Sequence, residues 1–309
     1  MLSTYLEYRS IADLNRVIIS SLSVFPHDVD VIVGIPRSGM LPANLLALYL
    51  NRRFTDIDSF VEGKVYRSGH RGCAPGSGEM MKVLVIDDSL YSGKAMLEVR
   101  ERLRPLSGEF RIEYAAVFVT SENKGMVDYY CEVIDYPRVF QWNIFHHPFY
   151  VSRACFDIDG VLCENPPIDD DGPLYMEYIA NAEPLYIPSV EIDTLITCRL
   201  EKYREITEQW LRRHNVRYRH LIMLDLRDKA ARAAWGRHGE YKGEHYWRSG
   251  NILFIECSLS VAELIARISG KPVFCTETFD MVNGRPMMGR LECRLRLGLR
   301  KMAGLIRRI

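Results

Sequence analysis

Val83–Met96 reads VLVIDDSLYSGKAM. An apolar run leads into two adjacent carboxylates, Asp87 and Asp88, then into a loop of small and polar residues, and then into a helical pattern. A strand that passes through a short turn into a helix is the repeating unit of a parallel α/β sheet. Such a turn aims backbone N–H groups and the helix dipole at one place, which makes an anion site. Acids at the carboxyl end of the strand lie where open α/β sheets bind ligands. Taken alone, an apolar strand ending in Asp-Asp also fits a structural turn.

The same unit recurs upstream. Val31–Leu50, VIVGIPRSGMLPANLLALYL, is strand, tight Gly/Pro/Ser turn and helix, with Arg37, Ser38 and Gly39 in the turn. Further β-branched runs predict strands over Val29–Ile35, Lys82–Ile86, Tyr114–Thr120 and Cys131–Ile134, then over Arg153–Ile158, Glu191–Thr197, Leu221–Leu226, Asn251–Ile255 and Pro272–Cys275. Amphipathic stretches separate them, so the expected fold class is α/β with two doubly wound parallel-sheet domains. The new strand after the aromatic stretch Phe140–Tyr150 sets the expected borders: 1–150, 151–284 and a tail, 285–309. Residues 67–79, RSGHRGCAPGSGE, lack an apolar period and read as a mobile loop between two strands, a length usually functional or disordered.

Composition narrows the classes. The 309 residues are 48% hydrophobic and 26% charged with zero formal net charge, ordinary for a globular chain, so overall charge nominates no nucleic-acid partner. Eight scattered cysteines without a CxxC pair predict a reduced, cytoplasmic protein. The first residues, MLSTYLEYRS, lack a signal-peptide pattern, and no apolar run reaches transmembrane length.

The Val83–Met96 pattern, with Val31–Leu50, resembles the phosphoribosyl-pyrophosphate (PRPP) signature and pyrophosphate loop of type I phosphoribosyltransferases, over roughly the first 145 residues. The resemblance implies that Asp87 and Asp88 hold the ribose hydroxyls, directly or through Mg²⁺. Ser89, Tyr91, Ser92, Gly93, Lys94 and Ala95 would wrap the 5-phosphate, while Arg37, Ser38 and Gly39 would take the leaving diphosphate. The flexible lid of the family would fall at Lys64–Glu79, with Lys64, Arg67, His70 and Arg71 as candidate clamps. Two residues depart from the pattern. Tyr91 stands where the hypoxanthine-guanine type has an aspartate base, and a phenol is a poor base near neutral pH; Ala95 stands where many members have a threonine.

Ala154–Leu162, ACFDIDGVL, ends a strand in Asp-x-Asp-Gly, which alone also fits a turn or a calcium-loop fragment. With the motifs that follow, it resembles the haloacid dehalogenase superfamily of phosphatases over about Arg153–Val282. The resemblance implies Asp157 as nucleophile, Asp159 as acid and base, and Thr197 at the end of its strand on the phosphoryl group. Lys242 would be the cation, with Lys229 as a substitute, and Asp157, Asp159 and Glu256 would hold Mg²⁺. A single Glu256 in LFIECS departs from the usual aspartates. The short interval from Asp159 to Thr197 leaves no room for a large cap, so an open site is expected, and Asp169–Asp171 is read as a solvated loop.

Arg290–Ile309, RLECRLRLGLRKMAGLIRRI, is a basic amphipathic stretch with Leu291, Leu295, Met302, Ile306 and Ile309 on one face. It reads either as a peripheral anchor on the inner face of the cell membrane or as a helix docked on the second domain. Together the two resemblances imply transfer of a phosphoribosyl unit followed by removal of its 5-phosphate. The expected acceptor is a glycan hydroxyl, lipid-linked, in bacterial surface polysaccharide synthesis. The alternatives are a nucleobase, giving a nucleoside-like metabolite, and a PRPP-sensing regulator. A homodimer is compatible with this scheme.

Overall fold

A computed structural model describes residues 6–66, 72, 80–167 and 171–284. The chain divides into two compact units, Glu7–Trp142 and the part from Asn143 onward, to which Leu6 also belongs.

The first unit holds seven strands: β1 Glu7–Arg9, β2 Val31–Gly34, β3 Arg53–Asp56, β4 Met81–Ser89, β5 Phe110–Val119, β6 Tyr129–Val133 and β7 Arg138–Phe140. Five form a parallel sheet in the order β3-β2-β4-β5-β6, and β1 pairs with β7 in a separate parallel ribbon. Side chains alternate across the sheet. Ile32, Leu84, Ile86, Ala115 and Val117 pack on one face against Leu14 and Ile18 of helix Ile11–Ser20 and Leu46 of helix Met40–Leu50. Val31, Val33, Val83, Val85 and Ala116 pack on the other against Phe60 of helix Ile57–Val61 and Met96, Val99 and Leu103 of helix Lys94–Leu103. Both faces are therefore dry, which explains why β2 and β4 read as unbroken apolar runs. Ser10 and Asp13 close a reciprocal capping box on the first helix.

The second unit holds β8 Ala154–Phe156, β9 Ile192–Leu200, β10 Tyr218–Leu224, β11 Leu253–Glu256, β12 Val273–Cys275 and β13 Asp280–Val282. They form one sheet, β10-β9-β8-β11-β12-β13, parallel except for the last strand. Cys155, Ile196, Phe254, Val273 and Cys275 pack with Tyr246 of helix His238–Arg248 and with Ala262, Ile265 and Ala266 of helix Leu259–Ser269. Cys155 and Cys275 behave there as small apolar side chains.

The compact units divide in the chain between Trp142 and Asn143. Other expectations are corrected. The aromatic stretch splits: Phe140 and Trp142 stack on each other and on Phe118, whereas Phe145 stacks on Tyr186 and meets Phe274 edge-on. Helix Pro148–Val151 packs on β8. The strand expected to end at Thr197 runs on to Leu200, so Thr197 is interior to β9. Asp171 is no solvated loop residue: it accepts from Lys202 Nζ at 3.0 Å, Tyr203 Oη at 2.7 Å and the Lys229 backbone N–H at 2.8 Å. Asp169, the lid candidates Arg67, His70 and Arg71, and the tail 290–309 lie outside the described residues.

Candidate functional site

In the first sheet the connection from β2 runs to β3 on one side and the connection from β4 runs to β5 on the other, which opens a crevice between the carboxyl ends of β2 and β4. Gly34 pairs with Ile86, so the next residues of both strands converge there. Ser38 Oγ donates to Asp88 Oδ1 at 2.8 Å. A side chain at Gly39 would put its Cβ 2.5 Å from the Ile35 carbonyl and 2.9 Å from Asp87 Oδ1, so the turn closes only on a glycine. Arg37, in the same turn, is exposed.

Asp87 and Asp88 are 8% and 3% exposed. Asp87 Oδ1 accepts the Asp88 backbone N–H at 2.8 Å, and Asp88 Oδ2 accepts the indole N–H of Trp142 at 2.7 Å. Burial first, and then the neighbouring Asp88 charge, hold the Asp87 carboxyl well above the usual range. A pair of buried oxygens served by neutral donors suits a cation or the hydroxyls of a sugar.

The loop after β4 is clamped from behind. Asn123 Nδ2 donates to the carbonyls of Leu90 at 3.1 Å and Tyr91 at 2.8 Å, and the buried Arg138 donates to Leu90, to Val119 at 3.1 Å and to Ile134 at 2.8 Å. Gly93 takes φ +72° just before helix Lys94–Leu103. The side chains of Ser92, Lys94 and Ala95 face outward, with Ser92 Oγ 3.4 Å from the Lys94 N–H and Lys94 Nζ 3.7 Å from Glu98. Ser89 is half-buried beside Asp88, at 3.5 Å. Tyr91 is 73% exposed and meets Tyr136 edge-on at 5.1 Å. Lys64, the one lid candidate among the described residues, pairs with Glu62 at 2.7 Å on the surface.

Residues 2–153 match a family model described as the phosphoribosyl transferase domain. This stretch is a phosphoribosyl transferase domain. The transcriptional regulator GfcR of Methanosarcina mazei is 30% identical over 126 residues, which cover 40% of this chain and 59% of that protein. The chain thus spans less than two thirds of the length of this curated relative. Among solved structures, a purine phosphoribosyltransferase from Pyrococcus horikoshii matches 44% of this chain and 92% of its own, at 23% identity and a TM-score of 0.34. The xanthine-guanine-hypoxanthine phosphoribosyltransferase of Helicobacter pylori matches 45% of this chain and 95% of its own, at 16% identity and a TM-score of 0.34. The family match supports phosphoribosyl transfer at the level of the family, for the domain that carries Arg37–Gly39 and Asp87–Ala95.

Beyond the phosphoribosyl transferase domain, a second polar cluster forms at the carboxyl ends of β8 and β11. Ile255 pairs with Phe156, which puts Glu256 level with Asp157. Lys242, reaching in from helix His238–Arg248, donates to Asp157 Oδ2 at 2.6 Å and Glu256 Oε2 at 2.8 Å. All three side chains are buried. Burial raises the Asp157 carboxyl to about 7; Lys242 opposes this, while Glu256 and Asp159 add to it. Burial disfavours the Lys242 ammonium, yet the two carboxylates outweigh it and hold its pKa well above the usual value. The alternative cation, Lys229, opens a separate helix, Lys229–Trp235.

Thr197 is fully buried on β9 and its Oγ1 accepts the Arg199 N–H at 3.2 Å. Asp159 is gripped by Arg199, whose Nη2 lies 2.6 Å from Oδ1 and whose Nε lies 3.1 Å from both oxygens. Tyr178 from helix Pro173–Asn181 adds a hydrogen bond at 2.9 Å. Burial pushes the Asp159 carboxyl up, but Arg199 and Tyr178 more than reverse this and leave it below the usual range. Asp157, Glu256 and the Cys257 thiol offer ligand atoms within 4.8 Å of one another.

Sequence reasoning missed Trp142, Asn123, Arg138, Arg199, Tyr178 and Cys257. Arg199 lies two residues after Thr197 and Cys257 directly follows Glu256, and asking what neutralises a buried acid points to the former. Trp142 carries no such signal, because its role depends on how the chain returns to β4.

Proposed function

We propose that this chain is a bifunctional enzyme in which the phosphoribosyl transferase domain moves ribose 5-phosphate from PRPP onto an acceptor hydroxyl, and the second domain removes the 5-phosphate. The observation that carries the second half is the Asp157–Lys242–Glu256 cluster. Residues from four separate motifs, Asp157, Thr197, Lys242 and Glu256, lie at β8, β9, helix His238–Arg248 and β11, and the resemblance to the haloacid dehalogenase superfamily needs all four. The borders in this reading are those of the sequence: a transferase to about 150 and a phosphatase to about 284.

In the transfer step the bond from the sugar C1 to the diphosphate oxygen breaks, and its electron pair leaves with diphosphate. The acceptor oxygen bonds C1 and releases its proton to solvent. Asp87 and Asp88 hold the ribose hydroxyls, the Arg37–Gly39 turn receives the diphosphate, and the clamped loop from Ser89 to Ala95 orients the 5-phosphate. In the hydrolytic step an Asp157 oxygen attacks phosphorus and the sugar oxygen leaves, protonated from solvent. Water then attacks the aspartyl phosphate, with Asp159, kept ionised by Arg199, taking its proton. Lys242 and Thr197 bind the phosphoryl oxygens. Magnesium, implied by both resemblances, would supply charge neutralisation at Asp87–Asp88 and at Asp157–Glu256.

A glycan hydroxyl as acceptor is supported by Tyr91, an exposed phenol where nucleobase enzymes of the hypoxanthine-guanine type have a carboxylate, and by the basic amphipathic sequence 290–309. No helix among the described residues is long and apolar enough to cross a membrane, so a membrane contact in this reading is peripheral. One observation favours a second reading: the regulator GfcR is 30% identical over 40% of the chain, and a PRPP sensor would bind without turnover.

Asp157→Asn protein, given PRPP, Mg²⁺ and a glycan-lipid extract, is expected to accumulate a phosphoribosylated glycan, identified by mass, whereas wild type yields the same product lighter by one phosphate. Diphosphate release only with free nucleobases would overturn the acceptor, and PRPP binding without any diphosphate release would favour the sensor.

A further inference from the structure

On the phosphatase reading above, we infer that Cys257 is a ligand of the divalent cation held by Asp157 and Glu256, so that this seat favours thiophilic ions over magnesium. Lys242 engages one oxygen of each carboxylate, Asp157 Oδ2 and Glu256 Oε2. The other oxygen of Glu256 faces the thiol: Cys257 Sγ lies 3.5 Å from Oε1, which also accepts the Ser258 N–H at 3.3 Å. Asp157 Oδ1 has only the Ile158 N–H, at 2.8 Å, among the described donors. Two carboxylates and the sulfur thus converge within 4.8 Å, about the span of two ligands on opposite sides of one ion bound at roughly 2.0–2.4 Å.

The thiol is held in that position. Gly160, at φ +75°, passes over it so closely that a Cβ there would lie 2.6 Å from both Cys257 Cβ and Sγ and 2.7 Å from Asn165 Nδ2. A residue with a side chain at 160 would displace the sulfur or the loop. The donor set decides the ion. Magnesium requires a near-octahedral shell of hard oxygens and gains little from sulfur. Zinc, cadmium and cobalt accept carboxylate and thiolate together. Where a third carboxylate would keep the seat selective for hard ions, Cys257 makes it a mixed oxygen–sulfur one.

The test is a titration of the full chain with Co²⁺, reading the thiolate-to-cobalt charge-transfer absorption in the near ultraviolet. Wild type and Cys131→Ser, which alters a thiol in the other unit, are expected to show the band, and Cys257→Ser to lose it. By calorimetry the Cd²⁺ dissociation constant of Cys257→Ser should rise on the order of tenfold or more, with that of Mg²⁺ hardly moving. A wild-type titration without the band, or a band unchanged in Cys257→Ser, would overturn the assignment; circular dichroism establishes that the variant is folded. Hydrolysis of para-nitrophenyl phosphate separates this from the reading beneath it. Turnover without a band removes Cys257 as a ligand and leaves the phosphatase standing, whereas a Cys257-dependent band without turnover under any divalent ion does the reverse.

Discussion

Asp88 is held by a hydroxyl and an indole; Asp157 is held by an ammonium. Both lie at the carboxyl ends of strands in parallel sheets, each beside a second buried acid, so the local problem is the same. The solutions differ. The first site surrounds Asp87 and Asp88 with neutral donors, and burial plus mutual repulsion keep the Asp87 carboxyl reluctant to ionise. The second builds its cations in: Lys242 bridges Asp157 and Glu256, and Arg199 grips Asp159. A site of the first kind gains most from a ligand that brings positive charge or hydroxyl donors with it. The second kind is already compensated, and can receive an anionic phosphate without first assembling its charges.

The largest expected effect breaks the second arrangement. Lys242→Met leaves two buried carboxylates face to face with no ammonium between them. Removing one partner of a buried ion pair costs about 3–5 kcal/mol, which should appear as a lower midpoint in urea unfolding and, on the bifunctional reading, as loss of phosphomonoesterase activity with diphosphate release from PRPP retained. Adding Glu256→Gln should restore part of the stability and none of the activity. Equal stability of Lys242→Met and wild type would mean that the cluster is not charged as drawn.

How much of this contrast was legible in the sequence depends on distance along the chain. Asp157 and Glu256 end apolar strands, and Asp87 and Asp88 do the same, so local pattern sufficed to nominate them. The two sheets were legible because β2, β4, β5, β8 and β11 are apolar on both faces. β1 (EYR), β7 (RVF) and β13 (DMV) were not, being short and broken by charged residues, and β3 (RFTD) has too many polar residues to stand out. The groups that set the charge state were the hidden part. Trp142 reaches Asp88 from 54 residues away, and Arg199 reaches Asp159 from 40. No local periodicity encodes such pairings; they follow from the strand order, which single-sequence patterns leave open.

Trp142→Phe sharpens the first half of the comparison. It keeps the ring stacked on Phe140 and Phe118 but removes the N–H that Asp88 accepts. A hydrogen bond to a charged group contributes roughly 1.5–3 kcal/mol, so the loss should be smaller than that of Lys242→Met. On the transferase reading, affinity for PRPP, measured by calorimetry, should fall with it, while the phosphatase step is untouched. Unchanged PRPP affinity would reduce Trp142 to a packing residue.

The smallest effect carries the sign that distinguishes the two sites. Because the folded-state affinity of Asp87 for its proton is raised, its contribution to stability is present in full below the ordinary carboxylate pKa of about 3.9. It is lost as pH rises through the folded value, when a second charge must be buried beside Asp88. Asp87→Asn cannot ionise and escapes that loss. The variant should therefore gain on wild type, in urea midpoint, between acid and mildly alkaline pH, although on the transferase reading it weakens ribose binding. Asp159 predicts the opposite slope: its depressed pKa gives a contribution that is present above the ordinary carboxylate value and lost as pH falls through the folded one, so Asp159→Asn should lag furthest at neutral pH. A stability gap between Asp87→Asn and wild type that stays constant with pH would mean that a cation already compensates the first site, and the contrast between the two sheets would vanish.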